Sequence, residues 1–317
     1  MIAWLRGPAV RRDGAVWSWV NAEHPGYPYP EIAGLWLTIM AHEPDVSEAE
    51  LARVLAWVLA QVDGEGRVGR HGIGYSFDSA IVVVGLCQAA RRGLSIDPVL
   101  LERMGARLLD DLTAGEVAFP TQPPRWSTRA SAHLGKLRWA FAELDAVLGP
   151  TDARAPARVD ALLGASETGI WAPDGRVMIR ADDPRSYVHS SCYALEGLLQ
   201  TGQRGRERLE AGARWLAQIQ AADGSLPNWV AAPGEVVVRP SDVIAQAVRI
   251  WAQVDRQRFA EPLTLALAQL RARQTASGGL SYLAPTLEPA DVNTWATLFA
   301  AQAVRWAAGR DMSAAIA

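Results

Sequence analysis

Two kinds of apolar stretch alternate along the chain. IAGLWLTIMA from Ile32 and SAIVVVGLCQAA from Ser79 are apolar nearly all round. ELARVLAWVLAQV from Glu50 and RERLEAGARWLAQIQ from Arg206 instead carry charges on one side and apolar residues at i, i+3, i+4 on the other. The first pattern reads as a helix buried on every side, the second as a helix with one wet face. Helices of the first kind are expected over 29–42, 77–91, 131–148, 187–201, 241–255 and 292–307. They recur at intervals of roughly 50 residues, a period that signals an array of supersecondary units. Each opens on a polar residue: Glu31, Asp78, His133, His189, Asp242 and Asn293.

Five amphipathic helices fall between these six. Ser47 and Glu50 have capping-box spacing, Asp97-Pro98 opens the second, and Pro156 makes the third, which follows Thr151-Asp152, the weakest of the set. The last two start near Arg206 and Glu261. After each comes a glycine turn and a short extended stretch holding an aromatic residue: Tyr75, Phe119, Trp171, Trp229 or Tyr282. Apolar helices inside and amphipathic helices outside predict an all-α (α/α)6 toroid of helical hairpins, with short β-like loops on one face. The chain should form one domain over 1–317, with a lead-in at 1–26, repeats at 27–308 and a tail at 309–317. A twelfth helix is not evident. Either it is missing at the C-terminus or the N-terminal segment takes its place.

If the array closes into a ring, the six leading polar residues converge on one cavity at the loop face. Helix N-termini there favour acidic residues, so Asp78 and Asp242 also have a reading as caps or first-turn acids. Glu31 is the stronger functional candidate, because it follows Pro30 in the aromatic loop YPYPE. A carboxyl among such neighbours should have a raised pKa, suited to general-acid work at neutral pH.

Composition narrows the function classes. The chain has 317 residues, half of them hydrophobic, and a net charge of −3, which leaves no basic footprint for nucleic acid or an anionic membrane. No apolar run approaches a membrane span or a signal-peptide core, so a cytoplasmic location is expected. Cys87 and Cys192 read as small buried hydrophobes. The five histidines are scattered without metal-ligand spacing, and no phosphate or dinucleotide fingerprint occurs, so neither metal nor cofactor is expected. The oligomeric state is not legible.

YPYPEIAGLWL, VHSSCYALEGLLQTG, SDVIAQAVRIW and DVNTWATLFAAQAVRW resemble the α/α-toroid proteins of bacterial exopolysaccharide and capsule loci. Those proteins are often labelled prenyltransferase/squalene-oxidase-repeat proteins, on stretches similar to QIQAADGSLPNW and RQTASGGLSY. The resemblance runs from about Tyr27 to Trp306. It implies a scaffold similar to six-hairpin glycosidases, in which an inner-helix Glu donates the proton and an Asp of another hairpin is the base. Glu31 would then be the donor and Asp78 or Asp242 its partner, with Tyr29, Trp126, Trp229 and Trp295 stacking on sugar faces. Tyr75, His133, Lys136, Gln246 and Asn293 would complete the glycan contacts. A lyase or epimerase would instead use Tyr187 or His189 as base, with Asn228 or Arg185 stabilising the charge of a uronic acid. A non-catalytic toroid binding a glycan or partner protein is a second class. A terpene cyclase is a third, although Asp110-Asp111 and Asp182-Asp183 lack the flanking residues of a cyclase donor motif.

Overall fold

The computed structural model describes residues 1–21, 23, 26–114, 132–284, 291–310 and 315–316. Phe119 and Trp126 lie outside them. Six inner helices form a closed ring: α2 (Pro30–Met40), α4 (Ser76–Arg91), α6 (Leu137–Leu148), α8 (Val188–Leu198), α10 (Ser241–Asp255) and α12 (Thr294–Ala307). Each packs on the next, and α12 packs back on α2. A 3-10 turn at Ala132–Lys136 leads into α6 and supplies most of its contact with α8. The outer helices are α3 (Glu48–Leu59), α5 (Pro98–Ala114), α7 (Pro156–Ser166), α9 (Arg206–Ile219) and α11 (Ala260–Ala272), with the short α1 (Ile2–Arg6). The expected capping box at Ser47 and Glu50 is formed, and Pro156 begins α7 instead of breaking it, as a proline at the first helical position can. Cys87 and Cys192 are fully buried in inner helices.

The glycine turns explain where the missing outer helix went. Arg11, Asp63, Ala172, Ala221 and Thr275 each donate a backbone N–H to the carbonyl four residues on, at 2.8–2.9 Å. The fourth residue of each turn is a glycine at positive φ: Gly14, Gly66, Gly175, Gly224 and Gly278. A Cβ on Gly14 would sit 2.2 Å from the carbonyl oxygen of Arg53, so this turn lies directly against α3. Gly175 and Gly224 meet α9 and α11 in the same way, while Gly278 faces Met1 and Trp4. The N-terminal segment therefore fills the remaining outer position. The Trp36 indole of α2 donates to Leu5 O of α1 at 2.7 Å, as Trp251 of α10 donates to Ala213 O of α9 at 2.9 Å.

Short strands lock the loop face. β4 (Ser186–Tyr187) pairs antiparallel with β5 (Trp229–Val230). β1 (Trp19–Val20), β7 (Val292–Asn293) and β6 (Leu280–Ser281) form a three-stranded sheet with β7 in the middle. Trp19 faces Asn293 in register, so the two ends of the chain meet where the ring closes. A hairpin of β2 (Gly69–Arg70) and β3 (Ile73–Gly74) precedes α4.

Candidate active site

The loop-face ends of the inner helices surround a cavity of about 340 Å³ lined by Trp19, His189, Asp242, Tyr282, Asp291, Asn293 and Trp295. The ring supplies His189 from the first turn of α8, Asp242 from that of α10 and Trp295 from that of α12. The three-stranded sheet supplies Trp19 and Asn293 from paired positions.

One polar grouping lies behind Trp295, and a second lines the cavity. In the first, Trp295 Nε1 donates to Glu31 Oε2 at 2.7 Å, and the Tyr29 phenol donates to Asp78. The Tyr29 and Trp295 rings meet edge-on with centroids 6.2 Å apart. Trp19 and Tyr27 continue this aromatic wall, and the Arg70 guanidinium lies 3.5 Å over the Tyr27 ring. Neither acid caps its helix: Tyr29 precedes α2 and Tyr75 precedes α4 as the cap residues, without side-chain capping bonds. Burial is the largest influence on both carboxyls. It pushes Glu31 up to about 8, with the Asp78 charge adding to the rise and the Trp295 donor and Lys136 ammonium opposing it. Asp78 is pushed up to about 7 by burial, against the Tyr29 hydrogen bond. Desolvation thus outweighs the favourable field of the helix N-termini.

In the second grouping, His189 Nδ1 lies 3.3 Å from Asp242 Oδ2, and Asp242 Oδ1 accepts from Val243 N at 2.8 Å. Tyr187 and Tyr282 share a hydrogen bond beside Asp242. The nearby Asp242 charge, then burial, holds the Tyr282 phenol well above its usual range; burial does the same for Tyr187. Tyr187 packs on Trp229 at 4.7 Å and His189 edge-on against Tyr193 at 4.5 Å.

Beneath the cavity lies a buried ion cluster. Glu196 receives Arg249 Nη2 at 2.5 Å and Lys136 Nζ at 3.3 Å. Arg249 also donates to Gln302 at 3.2 Å, and the Lys136 ammonium lies 4.6 Å over the Tyr193 ring. Burial pulls Lys136 down to about 8, with Glu196 resisting.

Several sequence candidates have other work. Arg185 pairs with Asp183 and Glu235, both at 2.7 Å, and lies over Trp229. Asn228 Oδ1 accepts from Val238 N at 2.8 Å and braces the loop between β5 and α10. The charge-stabilising pair imagined for a lyase is therefore committed to loop structure. His133 is buried edge-on to Phe77 at 5.3 Å, and burial drives it down to about 3, so it packs as a neutral ring. Gln246 is fully buried and donates to His189 O at 3.4 Å, steadying α8 from below. Asn293 both lines the cavity and caps α12 through Ala296 N at 2.9 Å. Tyr75 lies half-buried at the start of α4, and its backbone accepts from Ser79. Trp19, Asp291 and Tyr282 are cavity residues that sequence reasoning left off the site. Tyr282 carried the signal, as the aromatic after the last glycine turn. The pairing that brings Trp19 there is visible only in the fold.

Neither the protein-family models nor the curated proteins match this chain. Solved structures match over nearly its whole length. An unsaturated glucuronyl hydrolase specific for heparin has a TM-score of 0.71 at 12% identity, covering 98% of each chain. Cellobiose 2-epimerase from Bacillus thermoamylovorans B4167 has a TM-score of 0.70 at 11% identity, covering 95% of each. A glycosyl hydrolase of family 88 from Bacteroides vulgatus has 0.64 at 11%, covering 88% of this chain and 92% of its own. At such identities the likeness is one of fold: the chain is an all-α toroid of helical hairpins, as these structures are.

Proposed function

We propose that the chain is a carbohydrate-active enzyme that hydrolyses glycosidic bonds at the loop-face cavity. One observation carries the reading. Two buried carboxyls from neighbouring inner helices, Glu31 and Asp78, stand behind an aromatic wall, Glu31 bonded to the cavity-lining Trp295, and Asp242 with His189 lines the cavity itself. Glu31, beside the cavity-lining Trp295, protonates the glycosidic oxygen as the bond to the anomeric carbon breaks. Asp242 takes the proton of the water that attacks that carbon, and His189 holds Asp242 in place. Once Asp78 ionises, near pH 7, its charge keeps the proton on Glu31 by disfavouring a second negative charge nearby. The names of the similar structures, two glycan hydrolases and a disaccharide epimerase among them, support a glycan ligand.

Elimination is the weaker reading, because Arg185 and Asn228 are engaged in the loop. Mass spectrometry of the products separates the chemistries: hydrolysis adds one water per cleavage, elimination adds none and leaves a double bond, and epimerisation leaves the mass unchanged. Bacterial exopolysaccharide fragments are the first glycans to incubate with the protein, on the strength of the sequence resemblance. Glu31→Gln should abolish turnover while leaving thermal stability equal or higher. Retained turnover in that variant would remove Glu31 from the mechanism.

A further inference from the structure

We infer that the cavity takes an uncharged sugar and rejects uronic acids, a specificity that rests on the glycan-hydrolase reading above. Two carboxylates, Asp242 and Asp291, line the cavity; among the described residues lining it there is no Lys or Arg. Among the described residues, several cations of the surrounding loops have partners. Arg185 holds Asp183 and Glu235, Arg70 covers Tyr27, and Arg273 donates to Arg239 O at 2.6 Å. Lys136 and Arg249 are buried and both lie against Glu196. A sugar carboxylate entering this space would face two like charges and give up its water without a bidentate partner, which costs affinity steeply in a partly dry site. An unoxidised sugar meets what the cavity does offer. Its apolar faces can lie on Trp19 and Trp295, and its hydroxyls can donate to Asp242 and Asp291 and share hydrogen bonds with Tyr282. The volume lies at the low end of the ~300–1,000 Å³ typical of small-molecule pockets, room for a short saccharide rather than a long chain segment.

The test uses disaccharide pairs that differ only in oxidation at C6: cellobiose against its diglucuronate counterpart, galactobiose against digalacturonate, and mannobiose against dimannuronate. Binding to full-length Glu31→Gln, followed by tryptophan fluorescence and calorimetry, keeps recognition separate from turnover. The neutral member of at least one pair should bind ten-fold or more tighter than its uronate. Asp291→Lys, a change at the exposed rim, should narrow that ratio by admitting the uronate. Equal or tighter binding of the uronate in every pair that binds, or an unchanged ratio in Asp291→Lys, would overturn the specificity. Binding of neither member in any pair would overturn it together with the glycan reading. Neutral-sugar binding with no hydrolysis by the wild-type protein would uphold the specificity and overturn only the hydrolase.

Discussion

Glu31 and Asp78 act on each other through space, and the sign of that influence can be tested. The Asp78 charge raises the Glu31 pKa, so Asp78→Asn should lower it. If Glu31 is the proton donor, the alkaline limb of kcat/KM lies near pH 8 in the wild type and moves to lower pH in Asp78→Asn. An unmoved limb would show that another group sets it. Stability should respond as well. Both folded-state values lie above the ordinary 4.5 and 3.8, so protonation favours the folded form. That contribution is complete below about pH 4 and is lost as pH rises through 7 and 8. Melting curves across this window should show the wild type losing about 1–4 kcal/mol relative to a Glu31→Gln, Asp78→Asn double variant. The buried place of Glu31 was legible in the sequence because prolines and tyrosines crowd it in YPYPE, and the places of Asp242 and His189 because they open buried helices. Arg185 and Asn228 read equally well as ligands, because a side chain's actual partner, here Glu235 or Val238, is set by how a loop folds back.

At the scale of the helices, glycine lets the inner ring draw tight. A Cβ on Gly85 of α4 would stand 2.4 Å from Gly34 O of α2, and one on Gly34 would stand 2.8 Å from Val82 Cα. Across the ring, a Cβ on Gly197 of α8 would meet Gly135 O at 2.1 Å. A glycine inside a helix costs about 1 kcal/mol relative to alanine, offset here by close backbone packing. Gly85→Ala should therefore destabilise despite the better helix former, by about 1–3 kcal/mol, read from the denaturant midpoint. A more stable Gly85→Ala would mean that the two helices can part without loss. The buried helices were legible because an apolar run with no wet side has few other homes. Their spacing was not, since a glycine in such a run looks the same whether or not another backbone touches it.

For the whole molecule, the number of hairpins was legible, and the manner of closure was legible only as two alternatives, a missing outer helix or the N-terminal segment in its place. The sixth outer position is filled by the five residues of α1, too short for any periodic signal, although Asp13-Gly14 repeats the turn that follows the other outer helices. Removing residues 1–20 should strip α1 and β1 from the ring and Trp19 from the cavity, with a lower melting temperature and loss of turnover. Unchanged melting would show that the other five hairpins close without them. The seam also has a bearing on how the protein comes into being. Trp295 bonds Glu31 across 264 residues, and Asn21 bonds Asp291 across 270. A nascent chain has made its acids and half its aromatic wall long before the tryptophan that completes them leaves the ribosome. Such long-range pairing is slow to form, and a product that stops short of Trp295 lacks part of the cavity wall. The cavity is thereby left incomplete until the last helix arrives, a check on completeness made by the path of the chain itself.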